Sequence, residues 1–122
     1  MQMSEDNIDG RHIINAYSPG RVTIDHVVYE RSLIVSPQWL ITDWRPLTLE
    51  EMEPGDLDPI LDDKPEIVII GTGDRQQFPS TRLLRRIAGT GIGCEFMDNA
   101  AACRTYTVLV SERRKVVAAL LL

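Results

Sequence analysis

The chain has 122 residues, 43% hydrophobic and 25% charged, with a net charge of −5, which is the composition of an ordinary globular protein of one domain's length. The negative balance argues against a nucleic-acid partner, whose phosphates require a concentrated positive field. Charge is also unevenly placed: residues 1–63 hold 4 basic and 13 acidic side chains (−9), and residues 64–122 hold 9 basic and 5 acidic (+4).

The start, "MQMSEDNIDG", is polar and acidic, the reverse of a secretory signal or an Arg-rich transit peptide. Residues 1–9 are expected to be flexible and residues 10–122 to form a single globular α/β domain, with the cytoplasm as the expected compartment. From Ile13 to Pro37 the β-branched residues Val22, Thr23, Ile24, Val27, Val28, Ile34 and Val35 predict strands. Turns are expected at Ser18-Pro19-Gly20 and Asp25-His26. "WLITDW", 39–44, reads as a further strand closed by Arg45-Pro46. Links this short imply antiparallel pairing.

The acidic middle breaks the pattern. Thr48 with Glu51 has the spacing of a capping box. Pro54-Gly55 is expected to end that turn, and Asp56 to cap a short helix carrying Leu57, Ile60 and Leu61. Strand and helix then alternate: a strand at 67–70, a helix capped by Ser80 and ended by Gly89, and a strand at 93–97. A longer helix follows, capped by Asp98 or Asn99, with Ala102, Tyr106, Leu109 and Val110 on one face. The closing "VVAALLL" has seven apolar residues, where a spanning helix takes about 20, so it reads as a buried strand and no membrane span is expected. The fold class predicted is a three-layer α/β domain with a central mixed sheet, antiparallel strands in the N-terminal half and β-α-β-α-β in the C-terminal half.

"PEIVIIGTGDRQQFPS", residues 65–80, carries the feature closest to a cofactor motif. A dinucleotide turn needs a third glycine and a helix N-terminus aimed at the pyrophosphate. Here Gln76 holds the third position, and Asp74 to Pro79 separate the glycines from the helix start. No Gly-Lys-Ser/Thr follows, which excludes a P-loop. Gly71 and Gly73 are therefore expected to serve a backbone corner, and no cofactor is expected.

No catalytic set is found. His12 and His26 are the two histidines, and neither combines with Cys94, Cys103 or a carboxylate at metal-ligand spacing, so both are expected at the surface and no metal is expected. Cys94 and Cys103 are too few and too oddly spaced for a disulfide framework. Cys103, early in the long helix, could have its pKa lowered by the helix dipole, but burial as a packing residue is favoured. Asp56, Asp58, Asp62 and Asp63 lack calcium-loop spacing. Arg82, Arg85 and Arg86, with Arg75 ahead of their helix, form a basic cluster expected to face solvent, opposite Leu84 and Ile87.

Residues 65–80, with "GIGCEFMDNAAACRTYTVLVSERRKVVAALLL", resemble a family of small proteins of largely unknown activity. It includes the mitochondrial complex I assembly factor 3 and the adipogenesis-associated MTH938 domain-containing protein. The matching pieces are the apolar strand with Gly71-Thr72-Gly73-Asp74, the strand end Glu95-Phe96-Met97-Asp98, Ala101-Ala102 with Tyr106, and Glu112-Arg113; weaker agreement extends through residues 14–37 and Trp44. Thr107 stands where the family usually has Asn. The resemblance implies a three-layer α/β fold, no transferable catalytic residues, and a non-enzymatic interaction or assembly role with a protein partner. The candidate interaction surface is Gly71, Thr72, Gly73, Asp74, Arg75, Arg82, Arg85 and Arg86. The rival reading is a small-ligand binder or enzyme using a pocket at the Gly71–Asp74 corner.

Overall fold

A computed structural model describes residues 10–122; the expectation for residues 1–9 lies outside them. Three strands, β1 (Ile14–Ser18), β2 (Arg21–Ile24) and β3 (Val27–Tyr29), form an antiparallel sheet. Its second turn is Asp25-His26, as expected, with φ of 52° and 68°. Positive φ at both corner residues matches the right-handed twist of the flanking strands.

A second sheet contains β4 (Leu33–Val35), β5 (Leu40–Ile41), β6 (Ile67–Gly71), β7 (Gly93–Met97) and β8 (Val116–Leu120), in the order β5-β4-β8-β6-β7. β6 runs parallel to β7 and β8, while β4 is antiparallel to β5 and β8. The central mixed sheet and its two halves therefore follow the sequence pattern.

Three helices, α1 (Asp58–Asp62), α2 (Thr81–Ala88) and α3 (Asn99–Ser111), flank this sheet. From β6 the chain steps one way to β7 through α2, then back across β6 to β8 through α3. Crossovers of one hand that step in opposite directions place their helices on opposite faces. One face accordingly packs α1, α2, Trp44, Leu49 and Met52, and the other packs α3 and the small sheet. Alternation along β8 serves both cores: Val117, Ala119 and Leu121 face the first, and Val116, Ala118 and Leu120 the second. The closing apolar run is thus the buried centre of the sheet.

Three local expectations are corrected. The 39–44 strand is cut to Leu40–Ile41, because Trp44 turns inward, is 7% exposed, and donates its indole N–H to Asp56 O at 3.1 Å. Thr48 Oγ1 does accept the Glu51 N–H, as a capping box requires, but Glu51 N also donates to Thr48 O, and the segment closes as a single turn without opening a helix. Pro54-Gly55 opens a short 3-10 turn, Pro54–Leu57, instead of ending one, and Asp56 lies inside it, accepting the Glu53 N–H at 2.8 Å. Ser80 and Asp98 do cap α2 and α3, accepting from Leu83 N and Ala101 N.

Candidate functional site

In open α/β sheets, ligands bind at the carboxyl ends of the strands, where successive crossovers part to opposite faces. Here that place lies between β6 and β7, and the Gly71–Asp74 corner fills it. Gly71 is buried and close to α3: a Cβ there would strike Asn99 Oδ1 and stand 2.9 Å from Leu120 Cδ2. Gly73 has φ +105°, a conformation that glycine adopts without strain. Both glycines serve the backbone.

Thr72 closes the crevice from one side. It is 2% exposed, its N–H donates to Met97 O at 2.8 Å, and its hydroxyl lies 2.7 Å from Arg75 O and 3.2 Å from Met97 O. Asn99 closes it from the other. Its N–H donates to Gly73 O at 2.8 Å, its Oδ1 accepts from Gly73 N at 3.2 Å, and its Nδ2 donates to Leu121 O at 2.8 Å and Tyr17 OH at 3.3 Å. Gln76 Nε2 donates to Phe96 O at 3.0 Å, which ties the next loop to β7. The crevice is stitched shut by the protein's own polar groups. In the sequence Asn99 is marked only as a possible cap, and these long-range bonds give it a further role.

Beside the knot, Tyr17 OH lies 3.3 Å from Asp74 Oδ1. Burial first, and then the Asp74 charge, raise the Tyr17 pKa, against the Asn99 hydrogen bond; the phenol stays protonated at neutral pH. An open depression of about 430 Å³ is lined by Thr72, Gly73, Asp74 and Asn99, with Pro19, Leu47 and Leu122. Its polar floor is committed to structural hydrogen bonds.

The arginines divide into two pairs. Arg82 bonds Glu53 at 3.1 Å and Arg86 bonds Asp58 at 3.0 Å, so these two face the acidic segment beside α2. Arg75 and Arg85 are exposed and form no ion pair among the described residues. Leu84, expected with the apolar face of α2, is 47% exposed, while Leu83 and Ile87 are buried.

Phe78 was not singled out from the sequence, and it is 86% exposed. Its loop is held: Gln77 N donates to Thr72 Oγ1 at 3.2 Å, Gln77 Nε2 donates to Thr72 O at 3.3 Å, and Ser80 caps the following helix.

No group of three or more His, Cys, Asp or Glu side chains among the described residues is arranged to hold a metal. His12 is not a simple surface residue, since its Nδ1 lies 2.6 Å from Asp25 Oδ2 and both side chains are about three-quarters buried. Burial pushes the thiols of Cys94 and Cys103 up to about 12, overriding the helix-dipole effect considered for Cys103. Thr107 lies on the exposed side of α3 and donates to Cys103 O at 3.0 Å.

Residues 14–121 match the family described as a protein of unknown function (DUF498/DUF598). The chain belongs to this family. A solution structure of a Xanthomonas campestris protein is similar, with a TM-score of 0.84 and 36% identity, covering 99% of this chain and 92% of that one. A Francisella tularensis protein named "13 kDa major membrane protein" is 32% identical over 117 residues, 95% of each chain. A Xenopus tropicalis protein named "NADH dehydrogenase [ubiquinone] 1 alpha subcomplex assembly factor 3" is 36% identical over 84 residues, covering 69% of this chain and 44% of that protein. Among the described residues, no helix is long and apolar enough to cross a membrane.

Proposed function

We propose that this family member is a non-enzymatic protein-interaction factor of the assembly type, and that its contact surface is the loop leaving the Gly71–Asp74 corner, centred on Phe78 and bordered by Arg75 and Arg85. The observation that carries this reading is Phe78 itself, 86% exposed on a loop whose backbone is pinned by Thr72 and Gln77. Full burial of a phenylalanine contributes about 1.5–3 kcal/mol, and an anchor already held in place loses little entropy when it docks. Arg75 and Arg85 add unpaired positive charge that selects an acidic partner and speeds encounter. The assembly-factor name of the Xenopus relative supports the class of role. A cytoplasmic setting belongs to the same proposal, and the Francisella relative's name makes subcellular fractionation its check.

The test is a photo-crosslinking amino acid placed at position 78 in the native host. A defined protein adduct is expected at 78 and not at Lys115. Phe78→Ala with Arg75→Glu and Arg85→Glu should remove binding of the identified partner without unfolding. Arg82 and Arg86 are left alone, because their reversal would set two like-charged pairs against Glu53 and Asp58. No adduct at 78, or full binding by the triple variant, would sink the reading.

A second reading, a small-ligand site, is favoured by the depression lined by Thr72, Gly73, Asp74 and Asn99. A metabolite that shifts the Gly73 and Asp74 amide resonances would support it.

A further inference from the structure

A second recessed surface lies away from Phe78. It runs between β1 and α3, has a volume of about 570 Å³, and is lined on one side by consecutive residues of β1, Ile14 to Tyr17. The other side is a single stripe of α3, from Ala100 through Arg104 to Val108. Residues at such spacing share one face of a helix. Ala100, Cys103 and Thr107 are small, which leaves the groove room, and Val108 is 53% exposed at its margin.

Among the described residues the strand wall is an open edge. There β1 pairs with β2 alone, and Ser18 faces Arg21 across the two-residue Pro19-Gly20 turn. The pair flanking such a turn exchanges both main-chain hydrogen bonds, so the next residue on the strand, Tyr17, directs its N–H and C=O away from β2. No main-chain hydrogen bond reaches Tyr17 from other described residues outside the ladder. A strand edge facing a helix across an apolar groove is the arrangement in which extended peptides add to a sheet. Arg104 is exposed at this groove and forms no ion pair among the described residues.

We propose that the β1–α3 groove binds an extended peptide of a partner protein as an added strand, with its main chain on Tyr17, apolar side chains against Ala100, Cys103 and Val108, and a carboxylate on Arg104. The charge at Arg104 is what favours an acidic segment over a basic one. A second copy of this chain is less suited, since its β1 carries no carboxylate in Ile14–Ser18. The site is separate from the Phe78 surface, so failure of either leaves the other standing.

The probe is a phage-displayed library of random twelve-residue peptides, selected on the full chain. Enriched peptides are expected to alternate apolar residues and to contain Asp or Glu. They should protect the Tyr17 amide from hydrogen exchange, and bind about tenfold more weakly to Thr107→Trp, which fills the groove, and to Arg104→Glu. Thr107 and Arg104 are exposed, and unchanged thermal melting would show that both variants fold. Val108→Arg provides an independent block of the same groove. The proposal is overturned if no peptide enriches, if enriched peptides leave the Tyr17 amide exchanging, or if they bind all three variants as they bind the parent. It is equally overturned if the free protein is a dimer that these substitutions dissociate, because a second copy would then be the occupant.

Discussion

Gly71 and Asn99 occupy each other's space: a methyl group on the glycine would overlap the amide oxygen of the asparagine. The carboxyl end of β6 and the first residue of α3 can therefore approach only because position 71 has no side chain.

The first prediction follows from that contact. Gly71→Ala must displace Asn99 or Leu120, and overpacking of this kind costs about 1–3 kcal/mol. Asn99→Ala should cost a similar amount by leaving Leu121 O and Gly73 N without their partner. The double variant should be less unstable than the sum of the two, since Asn99→Ala removes the atom that the alanine strikes. Urea denaturation of the four proteins measures this. Full additivity would refute the coupling. Gly89→Ala is the control: φ is −79° with nothing within 4 Å, and its effect should be small.

A second prediction concerns acid. Asp56 is partly buried, which by itself would raise its pKa, but Arg45 at 2.6 Å and the Glu53 N–H outweigh that effect and hold the carboxyl below its ordinary value of 3.8. A depressed folded-state pKa means that the contribution is complete above 3.8 and is lost as pH falls through the lower, folded value. Asp56→Asn should thus be less stable than the parent at pH 7, with the gap narrowing below pH 3.8. Thermal melts across that range would show it. A gap that widens in acid would contradict the sign.

The cysteines supply a third. With both thiols pushed up to about 12 by burial, little thiolate exists at pH 8, and thiolate is the reactive form. Native protein should react slowly with a disulfide reagent, and denatured protein should release both thiols without reductant. Prompt reaction of Cys103 in the folded state would mean that α3 opens readily.

The fourth tests the corner. Because the polar groups of Asn99 and Thr72 at this corner are spent on hydrogen bonds within the protein, NAD and ATP should leave the melting temperature unchanged at millimolar concentration. A ligand at a hundredfold excess over its dissociation constant would stabilise the fold by about 2.7 kcal/mol. A clear upward shift would reopen the nucleotide reading.

Most strands, the helices α2 and α3 and both their caps were legible in the sequence, because apolar alternation and a Ser or Asp before a helix act within a few residues, whereas the turns of residues 42–57 were not. The knot was not. Asn99 bonds Gly73, Leu121 and Tyr17 at separations of 26, 22 and 82 residues, and nothing local distinguishes it from a helix cap. Phe78 escaped notice for a related reason: a phenylalanine reads as core unless the surrounding packing is known, and here the core is closed by Leu83 and Ile87 without it. Arg82 and Arg86 looked free because Glu53 and Asp58 precede them by 29 and 28 residues.

The order β5-β4-β8-β6-β7 gives the fold a late keystone. While β8 is missing, the antiparallel piece β4–β5 and the parallel piece β6–β7 have no strand in common, and each presents an inner edge of unpaired N–H and C=O groups flanked by apolar side chains. During synthesis those edges stand open until residues 116–120 emerge, which is the interval in which edge-to-edge aggregation is easiest. Shortening the chain by its last seven residues would remove the centre of the sheet and leave two fragments, each with half a core.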